Sequence, residues 1–397
     1  MRSLLTGLML LLPSGYDEPK TQAPKEQLKA IERAQQEASR QYHKALDEAK
    51  SEEKARKAVD DFLARVVQNA DAALDLARCY PHDPAALDAL VFAIRTAKAG
   101  PSDRAERAIV MLTQAHVRDE GMGDVCQQLF IFFHLPVAED LIRTVLEQNP
   151  RPAERGLACH ALAHYLTYQA RMVRKLRENP AIVKDYEQIR GKSRVERLLR
   201  EKDPNTLERG AERLLERAIS EYRTVPYDRR TLGEVAQDEL FELHHLRVGK
   251  VAPDIKGEDV DGGRFKLSDY RGKVVVLTFS GNWCGPCRAM YPQEREMVKR
   301  LEGKPFAMLS VNTDQDKETL RKAIMAGEIT WRCWWDGGVE GPITTRWSPE
   351  SFPTVYVLDS KGVIRDINKE GEVLNEAVDT LLKEMETAKS RSSASGG

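Results

Sequence analysis

The stretch Trp283-Cys284-Gly285-Pro286-Cys287 follows the apolar run Val274–Phe279 and precedes a segment with helical periodicity. Two thiols separated by two residues at a strand-to-helix junction can close a disulfide across the first helical turn. Free N–H groups and the positive dipole end at a helix N-terminus favour Cys284 as a thiolate. The thiolate is the attacking species in disulfide exchange, so the pattern predicts a nucleophile and a resolving thiol in one loop.

Outward from this loop, strand patterns alternate with helical patterns, which predicts an α/β sheet covered by helices. A hairpin signal, Asp261-Gly262-Gly263, precedes the sheet and predicts an extra N-terminal β-hairpin. The predicted strands are 273–279, 305–312 and 354–358, and the predicted helices are 287–301, 317–326 and 374–386.

The front part of the chain has helical periodicity throughout, so the fold class is an all-helical domain followed by an α/β domain. The paired helical stretches of residues 16–246 fit either a bundle or a short α-solenoid, because no repeat of fixed period is present. A change of period near Val248–Pro253 places the second domain at 250–387. The small and polar composition of 388–397 predicts a disordered tail.

Composition limits the class of protein. Of the 397 residues, 61 are Lys or Arg and 62 are Asp or Glu, and this balance argues against a nucleic-acid partner. The six cysteines are too few and too scattered for a disulfide-stapled scaffold. Cys79, Cys126 and Cys159 lie in apolar helical patterns and are predicted to be buried.

The N-terminus predicts export. Residues 1–15 combine one positive charge with the apolar stretch Leu4–Leu12, which is typical of a secretory signal and too short to span a bilayer. The stretch Pro13-Ser14-Gly15 is a poor cleavage site, so a cytoplasmic location stays open beside the periplasm or cell envelope.

Several motifs of the C-terminal third together resemble the thioredoxin superfamily, in particular the TlpA/ResA-type thiol–disulfide oxidoreductases. Besides the cysteine pair, these are Val251-Ala252-Pro253-Asp254, the segment Leu267–Lys273, Pro292 in the first helix, and Phe352-Pro353-Thr354 before the strand Val355–Leu358. The resemblance implies a thioredoxin-like fold for 250–387.

The resemblance also implies the site and its chemistry. Cys284 and Cys287 would be catalytic, and Trp283, Gly285, Pro286 and Pro353 would support them, with a cis bond before Pro353 and an apolar collar beside an exposed Cys284 sulfur. The protein would need no cofactor besides its own redox-active Cys284–Cys287 disulfide. The partners would be a protein disulfide substrate and a reducing donor, membrane-linked if the chain is exported. Oligomeric state is left open.

Two positions depart from the family pattern. Thioredoxins usually carry a buried carboxylate six residues before the first cysteine, where this chain has Thr278. ResA-like proteins often place a glutamate three residues after the second cysteine, where this chain has Met290. Glu294 and Glu296 lie nearby, but we expect both on the solvated face of the helix, which leaves the proton carrier unassigned.

Alternative functions remain open at this stage. A peroxiredoxin-like peroxidase shares the fold, but its pattern has Thr or Ser three residues before the peroxidatic cysteine, where this chain has Gly281. A zinc site would need further ligands at suitable spacing. The helical part is also compatible with a partner-binding scaffold that carries an accessory redox domain.

Cys333 lies beside three tryptophans and is predicted to be packed rather than to act as a third redox thiol. Whether the cysteine pair works as a reductase or as an oxidase depends on its reduction potential.

Overall fold

The computed structural model describes residues 23–97, 103–349 and 351–394, with backbone alone for 389–394. The chain divides into two compact units, residues 1–211 and 212–397. The predicted signal at 1–15 lies outside the described residues, and the predicted boundary near 246–250 stays a prediction.

The first unit is helical. Several of its helices begin with proline, whose missing N–H group would be unpaired at the first helical position in any case. Its elements are α1 (Pro24–Asp47), α2 (Glu52–Cys79), α3 (Pro84–Thr96), α4 (Asp103–Ala115), α5 (Met122–Gln127), a 3-10 helix (Leu129–Phe132), α6 (Pro136–Gln148), α7 (Pro152–Glu178), α8 (Pro180–Arg190), α9 (Lys192–Glu201) and the start of α10 (Pro204–Glu221).

The cysteines of this unit differ in burial. Cys126 and Cys159 are buried, but Cys79 is exposed, so its predicted burial is wrong. Cys79 is the last residue of α2 and lies off the stripe that ends in Leu74 and Ala77, which faces the protein interior.

The second unit is built around a five-stranded sheet of order β7-β6-β5-β8-β9. Strands β5, β6 and β7 run parallel, whereas β8 is antiparallel to β5 and β9. The elements are β1 (Pro226–Tyr227), β2 (Arg230–Thr231), α11 (Leu232–His245), β3 (Lys256–Glu258), β4 (Arg264–Lys266), a 3-10 helix (Leu267–Tyr270), β5 (Val274–Ser280), α12 (Gly285–Arg300), β6 (Phe306–Asn312), α13 (Lys317–Met325), β7 (Arg332–Trp335), α14 (Pro342–Trp347), β8 (Thr354–Leu358), β9 (Ile364–Ile367) and α15 (Gly371–Ala394).

Helix α11 belongs to the second unit, where Phe241 and Leu246 pack against the sheet core. Residues 388–394, predicted to be disordered, continue α15. Their alanine, lysine and arginine residues are good helix formers, and extending an existing helix costs less than starting one. Residues 395–397 lie outside the described residues.

Strand β5 is buried on both sides of the sheet, and its side chains alternate between two hydrophobic cores. Val274 and Val276 belong to the core under α12 and α15, and Leu277 and Phe279 belong to the core on the opposite face. This alternation places Thr278 on the α12 side. In the described parts of the chain, no helix is both long enough and apolar enough to cross a bilayer.

Candidate active site

The cysteine pair lies where β5 passes into α12. Cys284 is the N-cap residue of α12, and its Sγ accepts a hydrogen bond of 3.2 Å from the backbone N–H of Cys287. The two cysteines form a disulfide, with 5.3 Å between their Cα atoms. Pro286 occupies the first helical turn, where its lack of an N–H group removes no helical hydrogen bond. The loop therefore presents both sulfurs at the positive end of the helix.

The burial of the two cysteines corrects one expectation. Cys284 was expected to expose its sulfur, but the residue is only 4% exposed, and Cys287 is 1% exposed. The neighbouring Trp283 is 55% exposed. The sulfur of Cys284 lies 3.5 Å from the carbonyl oxygen of Phe352, so the proline loop covers it. In the disulfide form, the pair lies just beneath an exposed aromatic rim.

The proline loop faces the cysteine loop. The Phe352–Pro353 peptide bond is cis, and strand β8, antiparallel to β5, follows directly. The rings of Trp283 and Phe352 meet edge to face, with centroids 5.2 Å apart. The fold thus brings Trp283, Gly285 and Pro286 to the same edge as the loop of Pro353.

A buried aspartate, which the sequence reasoning missed, holds the cysteine loop. Asp314 follows β6 and accepts hydrogen bonds of 2.7 Å from both the backbone N–H and the side-chain amide of Asn282. The indole N–H of Trp283 lies 3.2 Å from the carbonyl and hydroxyl oxygens of Thr313. Polar residues directly after a buried parallel strand were the available signal, since such strand ends meet at one edge of the sheet.

The second expectation that the structure overturns concerns Glu294. Glu296 is exposed, as predicted, but Glu294 is 3% exposed. It lies on the inward stripe of α12 with Tyr291 and Met297, so the prediction of a solvated side chain was wrong. The hydroxyl of Thr278 donates a 3.3 Å hydrogen bond to the carboxyl oxygen Oε1 of Glu294.

Burial dominates the electrostatics of Glu294. Removing a carboxylate from water disfavours its charged form, and this raises the pKa of Glu294 to about 7, against the opposing effect of the Thr278 hydrogen bond. Burial also raises the pKa of the Cys333 thiol far above its usual range. Cys333 is therefore a protonated, packed thiol at neutral pH.

The described residues contain no group of three or more histidine, cysteine, aspartate or glutamate side chains suited to holding a metal ion. The arrangement of the pair by itself supports thiol chemistry: a sulfur at a helix N-terminus can act as the thiolate, and its partner one turn away can close the disulfide.

Comparison with known proteins gives similarities to the C-terminal part. Residues 248–367 match the model of the AhpC/TSA family. The chain is 31% identical over 126 residues to the thioredoxin-like protein YneN of Bacillus subtilis, covering 31% of this chain and 72% of that protein. It is 30% identical over 122 residues to the thiol-disulfide oxidoreductase ResA of Geobacillus kaustophilus, covering 31% of this chain and 69% of that protein.

Among solved structures, the chain is similar to the thioredoxin domain of a thiol-disulfide oxidoreductase from Bacteroides vulgatus. The two are 26% identical, with 34% of this chain and 98% of that chain covered and a TM-score of 0.32.

Proposed function

We propose that this chain, which belongs to the thioredoxin-like family of ResA-type thiol–disulfide oxidoreductases, reduces disulfides of other proteins through Cys284 and Cys287. The observation that carries the proposal is the position of Cys284 at the N-cap of α12, with its sulfur accepting the N–H of Cys287. Such an environment lowers the energy of a thiolate.

The reaction proceeds in two exchanges. In the reduced protein, the Cys284 thiolate attacks one sulfur of the substrate disulfide, and the other substrate sulfur leaves as a thiolate. Cys287 then attacks Cys284 in the mixed disulfide and releases the second substrate sulfur. Two electrons pass from the protein to the substrate, and the protein is left with the Cys284–Cys287 disulfide. A separate dithiol donor restores the reduced pair.

Two features support the reducing direction and a protein substrate. The Gly285-Pro286 dipeptide is shared with thioredoxin, whose potential of about −270 mV makes it strongly reducing. Trp283 and Phe352 form an exposed apolar rim beside the sulfur, and an extended segment of a partner can bind there. The N-terminal pattern of 1–15 supports export, in which case the donor is membrane-linked because an oxidising compartment lacks a bulk reductant.

The close packing around Gly281 argues against the hypothesis of a peroxiredoxin-like peroxidase. A Cβ atom there would collide with the indole nitrogen of Trp283 and lie 2.9 Å from the hydroxyl oxygen of Thr313. The position therefore has no room for the Thr or Ser side chain of the peroxidase pattern. The scaffold reading remains the second hypothesis for the helical residues 16–246.

Disulfide reduction assays test the proposal. With dithiothreitol as donor and insulin as substrate, Cys284→Ser is expected to lower the catalysed rate to background, since the attacking sulfur is gone. Cys79→Ser is the matched control, because Cys79 is exposed and lies outside the site, and it is expected to keep the full rate. Reduction by Cys284→Ser at the rate of the unaltered protein would contradict the proposal.

A further inference from the structure

A row of buried polar side chains crosses the middle of the sheet directly under α12. Thr278 of β5 pairs in register with Ser310 of β6, and Ser310 pairs with Cys333 of β7. All three are buried on the α12 side of the sheet, and Glu294 of α12 lies against this row. A buried carboxyl group has a large desolvation cost. The cost of burying the Glu294 carboxyl group therefore suggests that this group has a role in the chemistry of the site.

The chemistry of the pair supplies such a reason. Cys287 has to lose a proton before it can attack the mixed disulfide, because the thiolate is the nucleophile. The residue is 1% exposed, so a base in bulk water has little access to it. Resolution of the mixed disulfide thus needs a proton acceptor inside the protein.

Helix geometry places Glu294 on the same face of α12 as Cys287. Seven residues correspond to two turns and a rise of roughly 10 Å. Helical side chains lean toward the N-terminus, so the Glu294 carboxyl group extends toward Cys287. The Cys287 side chain leans in the same direction, so the rest of the distance has to be bridged by the hydroxyl of Thr278, which contacts Glu294, or by water.

We propose that Glu294 is the proton acceptor for the resolving thiol Cys287, acting through Thr278 or a bridging water. The inference rests on the proposed function and adds to it the group that the family pattern leaves unassigned. The Cys287 thiol gives its proton to the Glu294 carboxylate, and the resulting thiolate attacks Cys284. The bond from Cys284 to the substrate breaks, and the substrate sulfur leaves as a thiolate that takes a proton from water.

The groups that face Glu294 do not compete for this role. Burial raises the pKa values of Tyr291 on α12 and of Cys333 on β7 beyond the neutral range, so both keep their protons. Asp314, after β6, is occupied as the acceptor for Asn282 and Asn312. Thr278 on β5 is neutral and donates to Glu294. The pKa of Glu294, at about 7, suits a group that accepts and returns a proton near neutrality.

The test follows the lifetime of the mixed disulfide. Reduced protein is mixed with oxidised glutathione and quenched in acid at intervals, and mass spectrometry measures the protein–glutathione adduct between pH 5.5 and 8.5. Resolution by the unaltered protein is expected to accelerate with pH, with a midpoint near 7. In Glu294→Gln the adduct should last at least about tenfold longer at pH 8, without that midpoint.

Two further variants separate proton transfer from packing. Glu296→Gln changes an exposed glutamate on the same helix and should leave the lifetime and midpoint unchanged. Combining Met290→Glu with Glu294→Met moves the carboxylate one turn nearer Cys287, to a partly buried position, and should restore resolution to within about threefold of the original rate.

The outcomes distinguish the two proposals. Resolution by Glu294→Gln at the original rate and midpoint would overturn the role of Glu294 while leaving the proposed function intact. A double variant that stays as slow as Glu294→Gln would also overturn it, since the glutamate would then serve packing alone. If the unaltered protein formed no mixed disulfide with either glutathione or insulin, the proposed function would fail first.

Discussion

The two faces of the central sheet have different chemistry. On the face away from α12, the buried strand residues are apolar or aromatic: Val275, Leu277, Phe279, Leu309, Val311, Trp334, Tyr356 and Leu358. On the α12 face, the aliphatic residues are interrupted by Thr278, Ser310 and Cys333, with Glu294 above them. The first face is packed with apolar side chains, like the hydrophobic core that stabilises other globular domains. On the second face, buried polar side chains interrupt the apolar core in the half of the sheet nearer the cysteine loop, which fits the proposed role of this layer in the chemistry.

Adjacent residues of β5 offer the sharpest contrast between the faces. Phe279→Ala opens a cavity in the apolar core and is expected to lower the free energy of unfolding by about 3–5 kcal/mol. Thr278→Val keeps the shape and removes one hydrogen bond, so it should cost only about 1 kcal/mol. Urea denaturation at pH 6 measures both.

Tryptophan fluorescence reports this unit alone, because all five tryptophans lie between 283 and 347. The two-face description would break if Thr278→Val were as damaging as Phe279→Ala.

The charge on Glu294 is expected to make the stability of this unit depend on pH. Its pKa is about 7 in the folded protein, against 4.5 for an ordinary glutamate. The folded state therefore binds the proton more tightly, and its stability falls as pH rises from 4.5 to 7, by about 3 kcal/mol in all. Glu294→Gln has no such slope, so relative to the unaltered protein it should become more stable as pH rises and level off above 7.

Denaturation curves of the oxidised protein at pH 5 and pH 8 give this difference, with Glu296→Gln as the exposed control. Equal pH slopes for the unaltered protein and Glu294→Gln would show that the carboxyl group is solvated. The contrast between the two faces would then lose its main element.

The features of this protein that can be predicted from its sequence are those set by local sequence patterns. The cysteine loop, the preceding strand and the helix after it share one short segment, and the family resemblance and the assignment as a thiol–disulfide oxidoreductase are confirmed. The geometry around Cys284 and Pro353 then follows from the packing of β5 against β8.

What sequence missed depends on tertiary packing. Glu294 lies among charged neighbours in the chain, yet it shares a helical stripe with Cys287 and Met297 and points inward. The burial of Cys284 results from contact with Phe352, which is 68 residues away. Asp314 reaches Asn282 only because two parallel strands end at the same edge. In each of these three cases the contact partner lies at least 16 residues away in the chain.

The reduction potential of the Cys284–Cys287 pair tests the central claim most directly. The full chain is equilibrated in glutathione buffers of graded ratio, the free thiols are trapped by alkylation, and peptide mapping gives the fraction of this disulfide. The account predicts reversible formation of the pair with a potential near that of thioredoxin, about −270 mV. A pair that never closes, or one with a potential above about −200 mV, would contradict a reductase that works through these two sulfurs.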